Sequence, residues 1–394
     1  HLHQKNIKPS RYFGMAFLFG SHNLLSLFEH LSYPMNLKLF FTPLSTDYDL
    51  PANAFGQSIK HLQDKDFDIS KMDVAIIGIN SRGEADLIRA KLFALKRSTA
   101  AYRMADLGNI QTGSDGEQTQ ARIREICEFL ITQRVIPILV GGNQDLALGQ
   151  FKAYETANKL ISVANVDAFM DMEEEAESSA NFLNTLLLHQ PNFLLNYSHL
   201  AHQTYLIDAA MLKALDKLYF ESLRLGEIRY DIKQAEPLIR MADMLTFDIS
   251  AIRSSDAPGN PKAQPFGLTG EEACQLSWYA GINEKMTSVG FHEYYPSLDD
   301  DALKTASVMA TMIWYFIEGY YNRRDTGQFN SDNYSKYTVS FEGTEETMTF
   351  YKSNLSEKWW MLVNYGEQMM DRAYIPCSYE DYKGATHGDF PERW

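Results

Sequence analysis

Residues 162–171 read SVANVDAFMD, and this stretch decides the fold. Residues 162–166 predict a buried strand, and Asp167 and Asp171 follow at an i, i+4 spacing just past its carboxyl end. Open α/β sheets bind their ligands at this end of their strands. The stretch therefore predicts a parallel sheet with a polar site at its carboxyl edge.

Two further segments share this form. Residues 135–142 read VIPILVGG and lead into NQD, and residues 244–249 read MLTFDI, which delivers Asp248. Helical patterns occur before these strands at residues 84–95 and 117–133, between them at residues 145–159 and 227–240, and after them at residues 300–321. Strands that alternate with such helices predict an α/β fold, a three-layer α-β-α arrangement around a mainly parallel, doubly wound sheet.

The length and pattern changes indicate three regions. Residues 1–69 are interpreted as an N-terminal extension with an accessory strand, and residues 70–324 as the α/β domain. Residues 325–394 are interpreted as a C-terminal appendage, with a β-hairpin built from residues 337–341 and 346–351 and a polar tail. Within the α/β domain, residues 205–208 also predict a strand.

Composition excludes several classes of partner. The net charge of −15 and the pI near 5.1 argue against nucleic acid and against anionic membrane surfaces. The longest apolar runs have the length of strands, so no membrane span is expected. Cys127, Cys274 and Cys377 are far apart and form no C-x-x-C pair, which favours buried thiols and a cytoplasmic location.

The three strand-end motifs together resemble the ureohydrolase superfamily, which includes arginase, agmatinase and formiminoglutamase. Where that family reads G-G-D-H-S, D-A-H-x-D and S-x-D-x-D, residues 141–145 read GGNQD, residues 167–171 read DAFMD and residues 246–250 read TFDIS. The resemblance extends over roughly residues 70–322, with the motifs in the same order. The sequence between motifs, such as ISAIRSSDAP at residues 249–258, is similar to that of the formiminoglutamase-like branch. It implies an arginase-like fold for the middle of the chain.

In the family these motifs hold two manganese ions, and the resemblance implies that only part of this centre remains. Four positions stay as a vestigial or single-ion metal site: Gln144, Asp167, Asp171 and Asp248. Phe169 and Ser250 stand where the family has ligands; phenylalanine has no donor atom, and a serine hydroxyl is a poor ligand for a divalent ion. We therefore expect no bound cofactor, and the alternative is a single Mn, Mg or Ca ion.

Two further residues are candidates for the same site. Carboxylates that lie close together cannot all stay ionised without a positive charge, and Arg253 replaces an acid of the family pattern, so it is a candidate counter-charge. Glu293 aligns with the glutamate of the family's E-x-N-P motif, which binds a guanidinium or amidine group. The resemblance thus implies a small amidine or cationic ligand, although Glu293 is alternatively a surface carboxylate.

The histidines of the chain give no comparable signal. The family's loop histidine, in a G-N-x-H-G context, has no counterpart. His189 is either an active-site residue or, as is more common, structural, and His199 with His202 lacks a third ligand for zinc. No catalytic residue is therefore assigned.

The missing ligands favour a pseudoenzyme that has lost the binuclear manganese centre and has a binding, scaffolding or regulatory role. The alternative is a metal-dependent hydrolase of linear amidine C–N bonds, of formiminoglutamate, agmatine or arginine type, with a rearranged or single-metal site. Family members are oligomers, which implies a homo-oligomer, or a protein partner, that binds through the C-terminal region. Aromatic residues there, such as Trp359 and Trp360, form either the core of the appendage or an interface.

Overall fold

The computed structural model describes residues 35–44, 50–157, 159–172, 181–341, 347–364 and 372–391. The strands of the main sheet are β1 (Phe41–Thr42), β2 (Ile59–His61), β3 (Val74–Ile79), β4 (Met104–Ile110), β5 (Ile136–Gly141), β6 (Ile161–Val166), β7 (Leu194–His202), β8 (Glu221–Arg224), β9 (Met244–Asp248) and β10 (Ser288–His292). The strands of a second sheet are β11 (Tyr334–Ser340), β12 (Thr347–Ser353), β13 (Trp359–Asn364) and β14 (Arg372–Cys377). The helices are α1 (Glu84–Ala94), α2 (Gly116–Thr132), α3 (Ala147–Lys152), α4 (Phe182–Leu188), α5 (Ala209–Lys217), α6 (Leu225–Tyr230), α7 (Ala235–Met241), α8 (Gly270–Gly281), α9 (Lys304–Tyr321) and α10 (Tyr379–Thr386).

The main sheet has the strand order β1-β4-β3-β5-β10-β9-β6-β7-β8, and β2 also pairs with β4. Every pairing is parallel except that of β1 with β4. The chain passes from β5 to β6 without pairing them, and β9 and β10 later fill the gap. Four neighbouring strands at the centre of the sheet therefore end at one edge, which is where such sheets bind ligands.

Helices cover both faces of the sheet. Strand residues of β3 alternate between the two sides, so Val74 and Ile76 pack with α1, α8 and α9, whereas Ala75 and Ile77 pack with α2. A third apolar cluster joins α3, α4 and α5 to β6 and β7 on the same side as α2. The predicted three-layer arrangement with a mainly parallel sheet is confirmed.

One strand differs from the prediction. The strand expected at residues 205–208 is wrong, because Thr204–Leu206 form a 3-10 turn and the strand is β7, just before it. The polar residues Asn196, Ser198 and His199 are buried within β7, so its sequence lacks the apolar pattern of a central strand. Residues 1–34 and the acidic run at 173–179 lie outside the described residues, and the three regional boundaries stay predictions.

The second sheet is antiparallel throughout, in the order β11-β12-β13-β14, and it contains the predicted hairpin as β11 and β12. Helix α10 packs on it, and Met241 at the end of α7 joins the same apolar cluster. The buried Arg240 of α7 donates from Nη2 to the carbonyl oxygens of Trp359 (2.9 Å) and Cys377 (3.1 Å). Trp359 and Trp360 are buried, so they contribute to the packing of this appendage.

The cysteines are buried in the described structure. Cys127 and Cys274 are buried thiols, and burial raises the pKa of Cys274 to about 12. In the described parts of the chain, no helix is long and apolar enough to cross a bilayer.

A buried ion pair joins α1 to β4. The guanidinium of Arg89, which has no exposed surface, donates from Nε to Asp106 Oδ2 (2.7 Å) and from Nη2 to Asp106 Oδ1 (3.1 Å) and the Gly108 carbonyl (2.8 Å). A side chain at Gly78 would meet this guanidinium, since an added Cβ would lie 2.5 Å from Arg89 Nη1. The glycine in β3 thus makes room for the pair.

We expect Arg89→Met to lower the free energy of unfolding by about 3–5 kcal/mol, because it leaves the buried Asp106 carboxylate without its counter-charge. Chemical denaturation monitored by circular dichroism measures the change. Asp106→Asn in the Arg89→Met background should recover part of the loss, whereas Lys60→Met, which removes an exposed pair with Asp66, should leave the midpoint unchanged. Equal effects of Arg89→Met and Lys60→Met would contradict this role.

Candidate metal centre

Four loops meet at the carboxyl edge of the central strands. The turn after β5 carries Gln144, the loop after β6 carries Asp167 and Asp171, β9 ends on Asp248, and Glu293 follows β10. All five side chains are buried. Because β5, β10, β9 and β6 are adjacent and parallel, residues far apart in sequence come together here.

The turn after β5 depends on two glycines. Gly141 and Gly142 have positive φ angles of 91° and 72°, and an added Cβ at Gly141 would lie 2.4 Å from the Ile79 carbonyl oxygen. Glu293 also has a positive φ, 70°, which is uncommon for a residue with a side chain. Its N–H donates to the Gly142 carbonyl (2.8 Å), and its Oε1 accepts from the Gln144 N–H (2.7 Å), so the turn fixes Glu293 from both ends.

Three carboxylates form the centre of the site. Asp167, Asp171 and Asp248 each offer an oxygen, and these oxygens lie within 4.8 Å of one another. Asp167 Oδ1 accepts from the Phe169 N–H (2.9 Å) and from Ser250 Oγ (3.1 Å), and Asp248 Oδ1 accepts from the Ser250 N–H (2.7 Å). Backbone and hydroxyl donors therefore orient two of the three carboxylates.

Burial and mutual repulsion disfavour the charged state of this group. Burial raises the pKa of Asp167 well above its usual value, and the charges of Asp248 and Asp171 raise it further. Burial likewise raises the pKa of Asp248, followed by the charge of Glu293. A carboxyl in such surroundings stays ionised only when a cation compensates it.

One compensating cation is Lys262, not Arg253. Lys262 Nζ lies 3.1 Å from Asp171 Oδ1. Burial works to lower the pKa of Lys262, but the charges of Asp171, Asp248 and Asp167 and the hydrogen bond with Asp171 together raise it. Arg253 instead bonds from Nε to Asp256 Oδ1 (2.9 Å) near the surface. The expected counter-charge is therefore corrected, because the loop after β9 turns the guanidinium away from the triad; Lys262 lies four residues beyond Pro258 in the same connection.

A chain of hydrogen bonds holds the side-chain amide of Gln144. Its Nε2 donates to Asn165 Oδ1 (2.9 Å), Asn165 Nδ2 donates to the Tyr197 hydroxyl (3.1 Å), and that hydroxyl is 2.8 Å from His199 Nδ1. Burial lowers the pKa of His199 to about 3, so the ring is neutral at pH 7. With Nε2 engaged by Asn165, the oxygen Oε1 of Gln144 is left available as an acceptor.

Among the described residues, no histidine joins a cluster of groups that could hold a metal ion. His189 packs edge-on against Phe151 and Phe193, its Nε2 is 4.0 Å from a Glu155 oxygen, and burial lowers its pKa. The rings of His199 and His202 are 5.9 Å apart at their centroids on β7. Within the described ranges, the Asp167, Asp171 and Asp248 triad is the group whose carboxylate, imidazole or thiolate atoms converge closely enough for an ion.

The donor set fits one hard divalent cation. Asp167 Oδ2 and Gln144 Oε1 are buried and have no hydrogen-bond partner among the described residues. Three carboxylates and an amide oxygen are ligands that suit Mn²⁺, Mg²⁺ or Ca²⁺. A pair of ions fits less well, because Phe169 offers no donor atom and the Ser250 hydroxyl already donates to Asp167.

Comparison with known proteins identifies what this arrangement resembles. The model of the arginase family matches residues 80–318, more than half of the chain. Formimidoylglutamase of Staphylococcus haemolyticus is 26% identical over 251 residues, which cover 61% of this chain and 79% of that protein. Formimidoylglutamase of Staphylococcus aureus is 25% identical over 254 residues, covering 61% and 80%.

Solved structures share the fold. The crystal structure of formimidoylglutamase from Bacillus subtilis superposes with a TM-score of 0.62 at 17% identity, covering 72% of this chain and 98% of that one. The crystal structure of Trypanosoma cruzi formiminoglutamase with Mn2+2 gives a TM-score of 0.59 at 19% identity, covering 65% and 96%. A relative of this fold thus carries manganese, and this chain keeps three converging buried carboxylates. The prediction that no cofactor is bound is therefore wrong.

We expect Asp248→Asn to raise the melting temperature of the chelator-treated protein by about 2 °C or more at pH 8, because it removes one of several repelling buried charges. A carboxyl whose pKa is raised by folding stabilises the folded state only while it is protonated, so its contribution is lost as the pH rises. The advantage of the variant should therefore shrink when the pH is lowered from about 8 to about 5.

The same variant should bind added Mn²⁺ at least about 100-fold more weakly, as measured by calorimetry, because a charged ligand is lost. Asp256→Asn, which removes the surface partner of Arg253, should show neither effect. A chelator-treated Asp248→Asn protein that melts below the wild type at pH 8 would contradict the crowding of the triad.

Proposed function

Because this chain belongs to the arginase family, we propose that it is a metal-dependent hydrolase of linear amidine C–N bonds, of the formiminoglutamate type. The predicted ureohydrolase superfamily and its formiminoglutamase-like branch are confirmed. The observation that carries the proposal is the convergence of three buried carboxylates within 4.8 Å at the strand ends, beside the buried Glu293.

Four residues would hold the cation: Asp167, Asp171, Asp248 and Gln144. A divalent ion in such a site supplies Lewis acidity, which lowers the pKa of water and polarises an electrophilic carbon. The chain's own contribution is geometric, because the Phe169 and Ser250 N–H groups fix two carboxylates and Asn165 fixes the Gln144 amide. Preorganised ligands of this kind need no rearrangement during the reaction.

Glu293 suits the amidine end of the substrate. The residue is 6% exposed, and burial raises its pKa, so a cationic partner that donates hydrogen bonds would stabilise its charged form. The turn after β5 holds it through Gln144 and Gly142. An amidinium bound by Glu293 would place its carbon near the strand ends that carry the triad.

The position of the Arg82 guanidinium supports an amino-acid substrate. The Arg82 guanidinium stacks 3.8 Å from the ring centroid of Tyr295 and donates from Nη1 to Asn143 Oδ1 (2.8 Å). Its Nη2 lies 3.5 Å from a carboxylate oxygen of the buried Glu84, its Nε is buried and makes no hydrogen bond with the described residues, and its charge works to lower the pKa of Glu293. An arginine in this position suits a carboxylate, which formiminoglutamate and arginine have and agmatine lacks.

The proposed reaction adds one water molecule across the bond between the amidine carbon and the substituted nitrogen. The water oxygen goes to the carbon and the C–N bond to the amino acid breaks. One water proton goes to the leaving nitrogen and the other to the nitrogen that stays on the carbon. With formiminoglutamate the products are glutamate and formamide. Tenfold changes in rate correspond to about 1.4 kcal/mol of activation free energy, so modest repositioning of Glu293 would be measurable.

The second candidate is a pseudoenzyme that binds a metal ion and an amidine without turnover. Phe169 and Ser250 favour it, because neither supplies the ligand that the family has at that position. Its binding, scaffolding or regulatory role stays a prediction, as do the cytoplasmic location and a homo-oligomer or protein partner that binds through the C-terminal region.

We expect the Mn²⁺-loaded protein to release formamide from formiminoglutamate, and Glu293→Gln to lower kcat/KM by about 100-fold, since a charge-assisted hydrogen bond is replaced by a neutral one. Glutamine keeps the oxygen that accepts from the Gln144 N–H, so the melting temperature should stay unchanged. Formamide release is followed by coupled enzymatic assay, with agmatine as the comparison substrate without a carboxylate. Stoichiometric Mn²⁺ binding without formamide release would sink the hydrolase and favour the second candidate.

A further inference from the structure

A lysine lies beside the positions that lack metal ligands. Lys262 Nζ is 3.1 Å from Asp171 Oδ1 and 5.1 Å from the centroid of the Phe169 ring. Phe169 is one of the two positions where the family resemblance implies a lost ligand. The ammonium group therefore contacts both a retained carboxylate and the residue that replaced a ligand.

We propose that the ammonium group of Lys262 takes the electrostatic place of a second metal ion, so that the centre combines one divalent cation with one fixed ammonium. This inference rests on the proposed function for its single ion. Phe169 would then have a positive role, since an aromatic face attracts an ammonium group at about 6 Å or less. Phe169, which stands where the family has a ligand, would then act together with Lys262.

The formal charges agree with this arrangement. The ionised Asp167, Asp171 and Asp248 carry three negative charges, and Lys262 carries one positive charge. The remainder of two negative charges is balanced by one divalent cation. A second divalent cation would add two further positive charges, of which an ionised Glu293 near Asp248 could offset one, and the uncompensated remainder is costly where the effective dielectric constant is low.

The connection that carries Lys262 is held in place. The backbone N–H of Lys262 donates to Asn260 Oδ1 (2.6 Å), and the Lys262 carbonyl accepts from Gln264 Nε2 (2.8 Å). Asn260 Nδ2 in turn donates to the carbonyl of Glu293 (2.9 Å). Lys262 is thus positioned relative to the strand end that carries Glu293, unlike a lysine on a freely moving surface loop.

Ser250, at the second position that lacks a family ligand, bonds to two carboxylates of the triad. Its hydroxyl donates to Asp167 Oδ1 (3.1 Å) and its N–H to Asp248 Oδ1 (2.7 Å). These two donors stabilise carboxylate oxygens that a second cation would otherwise contact. The two positions where the family resemblance implies lost ligands therefore carry a ring and a hydroxyl, and an ammonium group lies beside the ring.

The test counts Mn²⁺ ions in variants that restore the two lost ligands. In Phe169→His/Ser250→Asp with Lys262 retained, we expect one ion per chain by plasma mass spectrometry. Adding Lys262→Met should give two ions, seen also as an exchange-coupled pair by electron paramagnetic resonance. Adding Arg253→Met instead should leave one ion, because Arg253 pairs with Asp256 away from the triad.

Two ions in the double variant, or one ion in the folded variant that also carries Lys262→Met, would overturn the inference. If that triple variant does not fold, Lys262→Met alone decides: removing a nearby positive charge should tighten Mn²⁺ binding by about tenfold. Lys262→Arg should bind as the wild type does. Unchanged or weaker binding in Lys262→Met would overturn the inference.

The two proposals fail in different ways. A wild-type protein that binds one ion without hydrolysing formiminoglutamate would contradict the proposed function and leave the role of Lys262 standing. A wild-type protein that binds two ions and hydrolyses formiminoglutamate would contradict the role of Lys262 and leave the proposed function standing.

Discussion

Three carboxylates are buried together at the ends of β6 and β9, and they stay ionised only if nearby cations compensate their charge. Their oxygens lie within 4.8 Å of one another, and burial with mutual repulsion raises the pKa values of Asp167 and Asp248. A fold that removes such groups from water must supply cations or lose stability as the groups ionise. Lys262 is one such cation, and the open oxygens of Asp167 and Gln144 indicate where a metal ion would supply the rest.

The sheet topology creates this crowding. Since β9 and β10 enter between β5 and β6, turns from four distant parts of the chain meet at one edge. The positive φ angles of Gly141, Gly142 and Glu293 then let two of these turns bond to each other closely. Fold and site are thus linked: a change in strand order would separate the groups that the proposed chemistry needs.

Much of this could be predicted from the sequence, because strand-end motifs carry strong local signals. The apolar runs that become β5, β6 and β9 are followed directly by their polar residues, so the sheet, its carboxyl edge and the grouping of the three aspartates follow from period and position. Strand β7 was missed because its buried Asn196, Ser198 and His199 conceal an inward-facing pattern. His199 Nδ1, for example, lies 2.8 Å from the Tyr197 hydroxyl, which also accepts from Asn165 of the neighbouring strand, and no local rule reveals such contacts.

The counter-charge was beyond sequence reasoning for a different reason. Arg253 and Lys262 lie in the same connection after β9, and only the path of the backbone decides which one reaches the triad. The guanidinium of Arg253 bonds to Asp256, three residues along the chain. The hydrogen bonds of Asn260 instead hold the segment of Lys262 close to Glu293. The expectation of a metal-free protein failed in a related way, since counting lost ligands gave no weight to the carboxylates that remain crowded.

The most direct measurement is anomalous X-ray diffraction at the manganese edge from crystals grown with Mn²⁺. The account predicts one anomalous peak per chain, bounded by Asp167, Asp171, Asp248 and Gln144, with Lys262 still bonded to Asp171. Two peaks within about 4 Å of each other, as in two-metal hydrolases, or the displacement of Lys262 from the site by a second ion, would contradict it.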